Sequence, residues 1–220
     1  MNRLQLVNAL SVESSIAGNG VTTTTEQTGE NQRLVSWIDQ AYEDVQNEYF
    51  DWNFLRAKGS FVTQTNTNII QPPSDLNIWD KKRVYDDGRL NIQVTDYDDC
   101  MDCVDESVTG KPNELLLNTD NTLLAYPYPD KAYTYTFDYF RRPYVMTADT
   151  DEPAFPSQFH RVIIGRALIY YGNYESAPEM ISQGSQIYTT VMRGLTASQA
   201  GGKRGYYGLS DASDIQVVAQ

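Results

Sequence analysis

"YPYPDKAYTYTFDYFRRPYV", Tyr126 to Val145, decides the fold. Aromatic rings stand at every second position, Tyr133, Tyr135, Phe137 and Tyr139, while Thr134, Thr136, Asp138 and Phe140 fill the places between. Successive side chains of a strand point to opposite faces. The pattern therefore predicts a β-strand with one apolar face and one largely wet face, entered through a Pro- and Asp-containing turn at 126–130. Such a ladder of rings can stack sugars or bases, which needs an exposed platform with basic or amide neighbours. It can fill a small β core, where each ring contributes about 1.5 to 3 kcal/mol. It can also serve a protein interface, where a ring gives much contact area for little rotamer entropy. Strict alternation puts the rings on one face, as a core requires, and favours core together with interface.

Upstream, "SFVTQT", "TNII", "RLNIQV", "ELLLN" and "TLLAY" are short β-branched or apolar runs separated by "QPPSD", "YDDG", "TGKPN" and "NTDN". Regular punctuation of this kind predicts a mostly antiparallel β unit. Outside it the period becomes helical. Leu4, Leu6, Val7 and Leu10, with Ile16 behind them, predict a short first helix, and "GNGVTTTTEQTGE" a loop or extended arm. From Asn31 to Tyr49 the positions Leu34, Ile38, Ala41, Val45 and Tyr49, widened by Trp37 and Tyr42, form one helical face, after which Trp52, Phe54 and Leu55 should fold back on the core. Beyond "DTDEPAFPSQ", Phe159, Val162, Ile163, Ala167 and Tyr170 mark a third helix with Ser157 as its N-cap. A break at "GNYESAP" leads to a fourth, with Pro178 in its first turn and Ile181, Tyr188, Val191, Met192 and Leu195 as its stripe. No repeat is present. The expected fold is α+β: an antiparallel helical bundle with an inserted, mostly antiparallel β subdomain and an extended C-terminal tail. The boundaries are 1–57 for the first helices, 58–150 for the β subdomain, 151–197 for the last helices and 198–220 for the tail.

An apolar fraction of 40% and a charged fraction of 21% over 220 residues are those of a chain that folds. No run of about 18 apolar residues predicts a membrane span, and the N-terminus does not read as an export signal. A net charge of −12 opposes wrapping of nucleic acid. It is compatible with DNA sliding past an acidic wall without sticking.

Residue chemistry points away from catalysis and cofactors. Cys100 and Cys103 form a CxxC pair, but zinc wants four ligands and the flanking Asp96, Asp98, Asp99, Asp102, Asp105 and Glu106 would raise the thiol pKa values, so the pair is expected to be free and reduced. The same acidic run lacks the glycine of a calcium loop, because Met101 occupies that place. His160 lies between Phe159 and Val162 near a helix start and is expected to be structural or solvent-exposed rather than a general base. No phosphate-cradling glycine motif occurs. Paired carboxylates of a hydrolase stay open, since their separation is invisible in sequence. No catalytic, cofactor-binding or metal-binding residue is assigned.

The helix "RLVSWIDQAYEDVQNEYFDWNFLR", the turn "QPPSDLNIWDKK", and the blocks "KPNELLL", "YPYPDKAYTYTFDYFRRPYVM" and "DEPAFPSQFHRVIIGRALIYYGNYESAPE" resemble the head-to-tail adaptor, or connector, proteins of short-tailed bacteriophages, over most of Arg33 to Glu179. The "DCMDC" segment departs from that resemblance. It implies a structural virion protein of the neck, assembled in the host cytoplasm. A homo-oligomeric ring, commonly of twelve copies, would sit beneath the portal, extend the DNA channel without specific DNA binding, and dock the tail or nozzle proteins. In such adaptors C-terminal segments reach the portal. Here the glycine-rich tail would order only against a partner, with Tyr206, Tyr207 and Leu209 as anchors and Lys203 and Arg204 meeting acidic groups. The competing expectation is a carbohydrate- or receptor-binding β module of a phage tail, and a cell-wall hydrolase is a third.

Overall fold

The computed structural model describes residues 1–15, 20–65, 67–88, 90–99, 105 and 107–199. It contains two compact units, Met1–Phe54 with Val145–Gln220, and Leu55–Tyr144, so the second is inserted in the sequence of the first. The fold is α+β, with four α-helices and mostly antiparallel sheets.

The helical unit consists of α1 (Arg3–Glu13), α2 (Gly29–Asn47), α3 (Arg161–Glu175) and α4 (Pro178–Gln199). A capping box opens α1: the Gln5 amide N–H donates to the Asn2 side chain, and the Asn2 N–H donates to the Gln5 side chain. That satisfies two N–H groups which a helix start leaves free. α1 buries Leu6, Val7 and Leu10, and α2 buries Leu34, Val35, Ile38, Ala41, Tyr42 and Val45. Ile16 lies outside the described residues. Tyr49, expected to close the α2 stripe, lies past the last turn and is 40% exposed. Trp52 closes that end instead, fully buried, its indole N–H donating to the Gln46 carbonyl at 3.1 Å.

One arginine organises the start of the chain. The Arg3 guanidinium forks onto Asp39 of α2 at 2.9 and 2.6 Å, and donates at 2.8 Å to both the Thr24 hydroxyl and the Thr147 carbonyl. The segment expected as a loop or extended arm is fastened in this way over its described part. Thr24 is buried between Arg3 and Asp149, and the Asn8 side chain clasps the backbone of Val21 at 2.7 and 3.0 Å.

α3 does not start at Ser157. Pro156, with its ring-fixed φ near −60°, starts a 3-10 turn over Ser157–Phe159, so the hydroxyl sits inside a turn, and His160 takes the N-cap place without a side-chain cap bond. α3 ends with Ser176 in the left-handed region, and Pro178 opens α4. The two helices then touch backbone to backbone. A Cβ built on Gly165 would lie 2.7 Å from the Tyr188 nitrogen, and one on Gly184 would lie 2.7 Å from the Gly165 oxygen.

In the inserted unit, β1 (Arg56–Val62), β2 (Ile69–Ile70), β3 (Leu76–Asp86), β4 (Gln93–Asp96), β5 (Thr109–Gly110), β6 (Glu114–Leu117), β7 (Leu123–Tyr126), β8 (Tyr128–Pro129) and β9 (Thr134–Arg141) form three sheets. Their orders are β1-β9-β3, β2-β7-β6-β4 and β5-β8; only β4–β6 and β5–β8 are parallel. The aromatic ladder is the central strand, β9. Tyr135, Phe137 and Tyr139 are buried with Trp79, Val84, Leu115 and Leu123. The polar ends of the buried rings are satisfied, as low-dielectric surroundings require: Tyr135 donates to the Pro112 carbonyl at 2.7 Å, Tyr139 to Asp75 at 2.9 Å, and Trp79 to the Asn121 carbonyl at 3.0 Å. Burial pushes the Tyr135 phenol up to about 12.

The other face of β9 is wet only at its start. Thr134 and Thr136 are exposed, but Asp138 and Phe140 are buried. The cause is β3, an eleven-residue strand hidden in sequence by its charged run. Its register runs from Trp79↔Tyr139 to Val84↔Phe137, so Asp80–Arg83 bulge opposite Asp138 alone. The bulge brings Arg83 to Asp138 at 3.2 Å, and Asp80 to Arg56 at 3.2 Å, while the Arg56 guanidinium lies over the Phe140 ring.

Phe137 also needs a glycine opposite it. Gly59 is its register partner, and a Cβ there would lie 2.4 Å from the ring. Gly59→Ala is expected to lower the unfolding free energy by about 1 to 3 kcal/mol through overpacking. Phe137→Leu added to it should cost less than the two changes summed, and urea titration of the three variants measures the coupling.

Candidate assembly surfaces

Helix pairing brings three chain segments to one end of the bundle. Asp44 of α2 accepts from the Arg166 guanidinium at 2.8 Å and from the Tyr170 phenol, while Trp37, two turns earlier, packs on Tyr171 and Tyr174. α2 and α3 are therefore antiparallel. So are α3 and α4, since Gly165 faces Gly184 and Tyr188, whereas Gly172 faces Ile181. The end of α2, the start of α3 and the end of α4 consequently share one end, where Gly194 of α4 lies beside Phe159.

An unbroken chain of rings fills that end. Tyr49 meets Trp52 with centroids 5.1 Å apart, Trp52 stacks on Phe54 at 5.3 Å, Phe54 meets Phe155 at 5.5 Å, and Phe155 touches both Tyr42 and His160. The chain begins in solvent. Tyr49 is 40% and Phe50 58% exposed, flanked by Glu48 and Asp51, with Tyr188 of α4 reaching the Glu48 carboxylate at 3.5 Å. Burial, followed by the charge of Glu48, pushes the Tyr188 phenol up to about 12. An exposed aromatic pair with an acidic rim has the composition of a contact surface. Two consecutive rings after the last helical turn were its sequence signal, although the periodicity had assigned Tyr49 to the core. The Arg3 hub had no such signal, because its partners lie 36 and 144 residues away.

His160 is structural rather than solvent-exposed: it is 1% exposed, Nδ1 lies 2.8 Å from the Met1 amino nitrogen and Nε2 3.0 Å from the Phe155 carbonyl oxygen. Burial lowers its pKa.

In the inserted unit the rings of Tyr135, Phe137 and Tyr139 are interior, so β9 presents no platform of exposed rings, while Tyr133, just before β9, is half-buried. Exposed apolar side chains there are Val62, Ile69, Ile78, Leu90, Val108 and Tyr144. An open cleft of about 440 Å³ is lined by Asp96, Tyr97, Asp98, Leu117, Asn118, Thr119 and Asp120. Asp96 is paired with Lys81 at 2.5 Å, and Asp120 accepts from the Thr122 hydroxyl and amide, which lower its pKa. Among the described residues no group of three or more His, Cys, Asp or Glu is arranged to hold a metal ion, and no helix is long and apolar enough to cross a membrane. Cys100, Met101 and Cys103 lie outside the described residues, as do Lys203, Arg204, Tyr206, Tyr207 and Leu209.

Compared with protein families, residues 1–209 match the family model described as SU10 adaptor protein. A comparison with curated proteins found no match.

The buried histidine makes a pH dependence. Its folded pKa lies below the ordinary 6.5, so the unfolded chain takes up the proton first. The stability it contributes is complete above about 6.5 and declines as pH falls from there. His160→Gln should remove this slope between about pH 6.5 and 5, read as the difference between the two proteins' denaturation midpoints at each pH.

Proposed function

The chain belongs to the SU10 adaptor proteins, and on that premise we propose that this phage adaptor is a head-to-tail connector: a ring of copies in the virion neck that docks on the portal, continues its DNA channel and receives the tail. The observation that carries the reading is the extent of the match, which spans both compact units and runs nine residues into the segment beyond Ala200.

Three features support it. The aromatic residues of β9 are committed to a core with their polar atoms satisfied, so they serve shape and not turnover. The bundle end keeps Tyr49 and Phe50 exposed, and a closed ring needs two different surfaces on each subunit that meet by rotation. The net charge of −12 suits a channel past which DNA slides, with the repulsion screened beyond about 8 Å at physiological salt. Ring number, commonly twelve in such connectors, is read by native mass spectrometry of the assembled complex.

In this proposal the tail is the portal anchor. Tyr206, Tyr207 and Leu209 supply apolar contact, and Lys203 and Arg204 meet acidic groups of the portal. Truncation after Ala200 should leave the thermal midpoint within a few degrees of the full chain and abolish co-sedimentation with the portal protein of the same phage. Normal joining by the truncated chain overturns the anchor assignment.

A further inference from the structure

Because of the antiparallel pairing, α4 releases the chain at the end of the bundle where Tyr49 and Phe50 are exposed. Tyr188 marks the distance: its hydroxyl lies 3.5 Å from Glu48, and Gln199 ends the helix eleven residues later. At 1.5 Å per residue that is about 16 Å along the axis. The chain from Ala200 to Tyr206, extended at up to about 3.5 Å per residue, covers more than 20 Å. Tyr206 therefore has the reach to return to Glu48 and its neighbours.

The chemistry of the two partners is complementary. On the bundle, exposed Tyr49 and Phe50 are flanked by Glu48 and Asp51. On the tail, "KRGYYGL" carries Lys203 and Arg204 immediately before Tyr206, Tyr207 and Leu209, and Gly205 and Gly208 permit sharp turns. Complementarity stops at Leu209, since Asp211 and Asp214 follow and would face like charge. Length, exit point, charge order and apolar content thus select one occupant.

We infer that the surface of Tyr49 and Phe50 is the docking site of the chain's own segment Lys203–Leu209, held in cis while the subunit is free and given up when that segment engages a partner. The inference rests on the proposed role of the tail for its second half only. Docking in the free subunit stands or falls by itself. A tail parked in this way lowers its apparent affinity for the partner by the fraction of chains that are open. It also covers Phe50 before assembly.

Trypsin reads the docking directly, because Lys203 and Arg204 are its cleavage sites. In the purified full-length protein, cleavage there should be at least tenfold slower than in the Phe50→Asp variant. It should be slowed likewise relative to the double variant Tyr206→Ser with Tyr207→Ser, whose changes lie outside the helices and leave their thermal midpoint unaltered. Protection should not change over a hundredfold range of protein concentration. Equal cleavage rates in the wild type and the tail variant overturn the inference, and protection that grows with concentration does so too, assigning the surface to a second copy. If cleavage responds as expected but truncation after Ala200 leaves portal joining intact, the anchor assignment falls and the docking stands.

Discussion

Contact between the backbones of α3 and α4 is the constraint from which the helical unit follows. Each glycine in a helix interior costs roughly 1 kcal/mol relative to alanine, and here Gly165, Gly172 and Gly184 all face the partner helix at distances a Cβ would violate. The cost is offset by many close atom pairs along two helices. Register is the second return. With glycine facing glycine, a slip of one turn, about 5.4 Å, would drive side chains into backbone, so the positions of Tyr188 and Gly194 are fixed. The acidic and aromatic end of the bundle is assembled by that fixed register, since no local motif joins α2, α3 and α4 there.

The inserted unit uses the same device once and otherwise depends on rings. Gly59 leaves room for the Phe137 ring against β1, and from Phe137 the contacts pass to Trp79 at 4.8 Å and to Tyr139 at 5.7 Å. The ion pairs around the β3 bulge contribute much less to stability. Arg83 is half exposed, and such pairs are worth about 0 to 1 kcal/mol. Their role is geometric: they bury Asp138 beside a partner and hold a cation over Phe140. Lys81 and Lys82 lie on an outer strand of the three-stranded sheet, where charge discourages pairing with another sheet edge.

Periodicity makes the helices and the ladder legible in the sequence, because both patterns are local. Leu34, Ile38, Ala41 and Val45 needed only a period near 3.6, and Tyr135, Phe137 and Tyr139 only a period of two. β3 escaped because Asp80 to Arg83 interrupt the alternation, and the interruption is a bulge whose meaning depends on β9, more than fifty residues away. Burial of Asp138 and Phe140 escaped for the same reason. Ser157 was misplaced by one turn because capping preferences do not distinguish a 3-10 lead-in from the helix itself. Of the assembly surface, sequence gave the tail's composition and the aromatic run at 49–50. That α4 ends on the same side of the bundle as that run depended on the hand-off from α3 to α4.

Buried and exposed rings in this chain meet opposite physical conditions. Among the interior rings with hydroxyls, Tyr135 and Tyr139 each have a named acceptor, so their burial carries no unsatisfied donor. Phe50 has the reverse condition, a ring with no polar atom held 58% in water. An exposed ring of that kind invites non-specific association unless something limits it. Glu48 and Asp51 supply part of the limit, acting as charged gatekeepers on either side, and the net charge of −12 adds general repulsion between subunits. Acidic gatekeepers reject most partners but not a basic one. The surface is therefore selective by construction: it tolerates an apolar guest only when that guest arrives with cations, and in this sequence the order lysine, arginine, glycine, tyrosine, tyrosine satisfies both conditions.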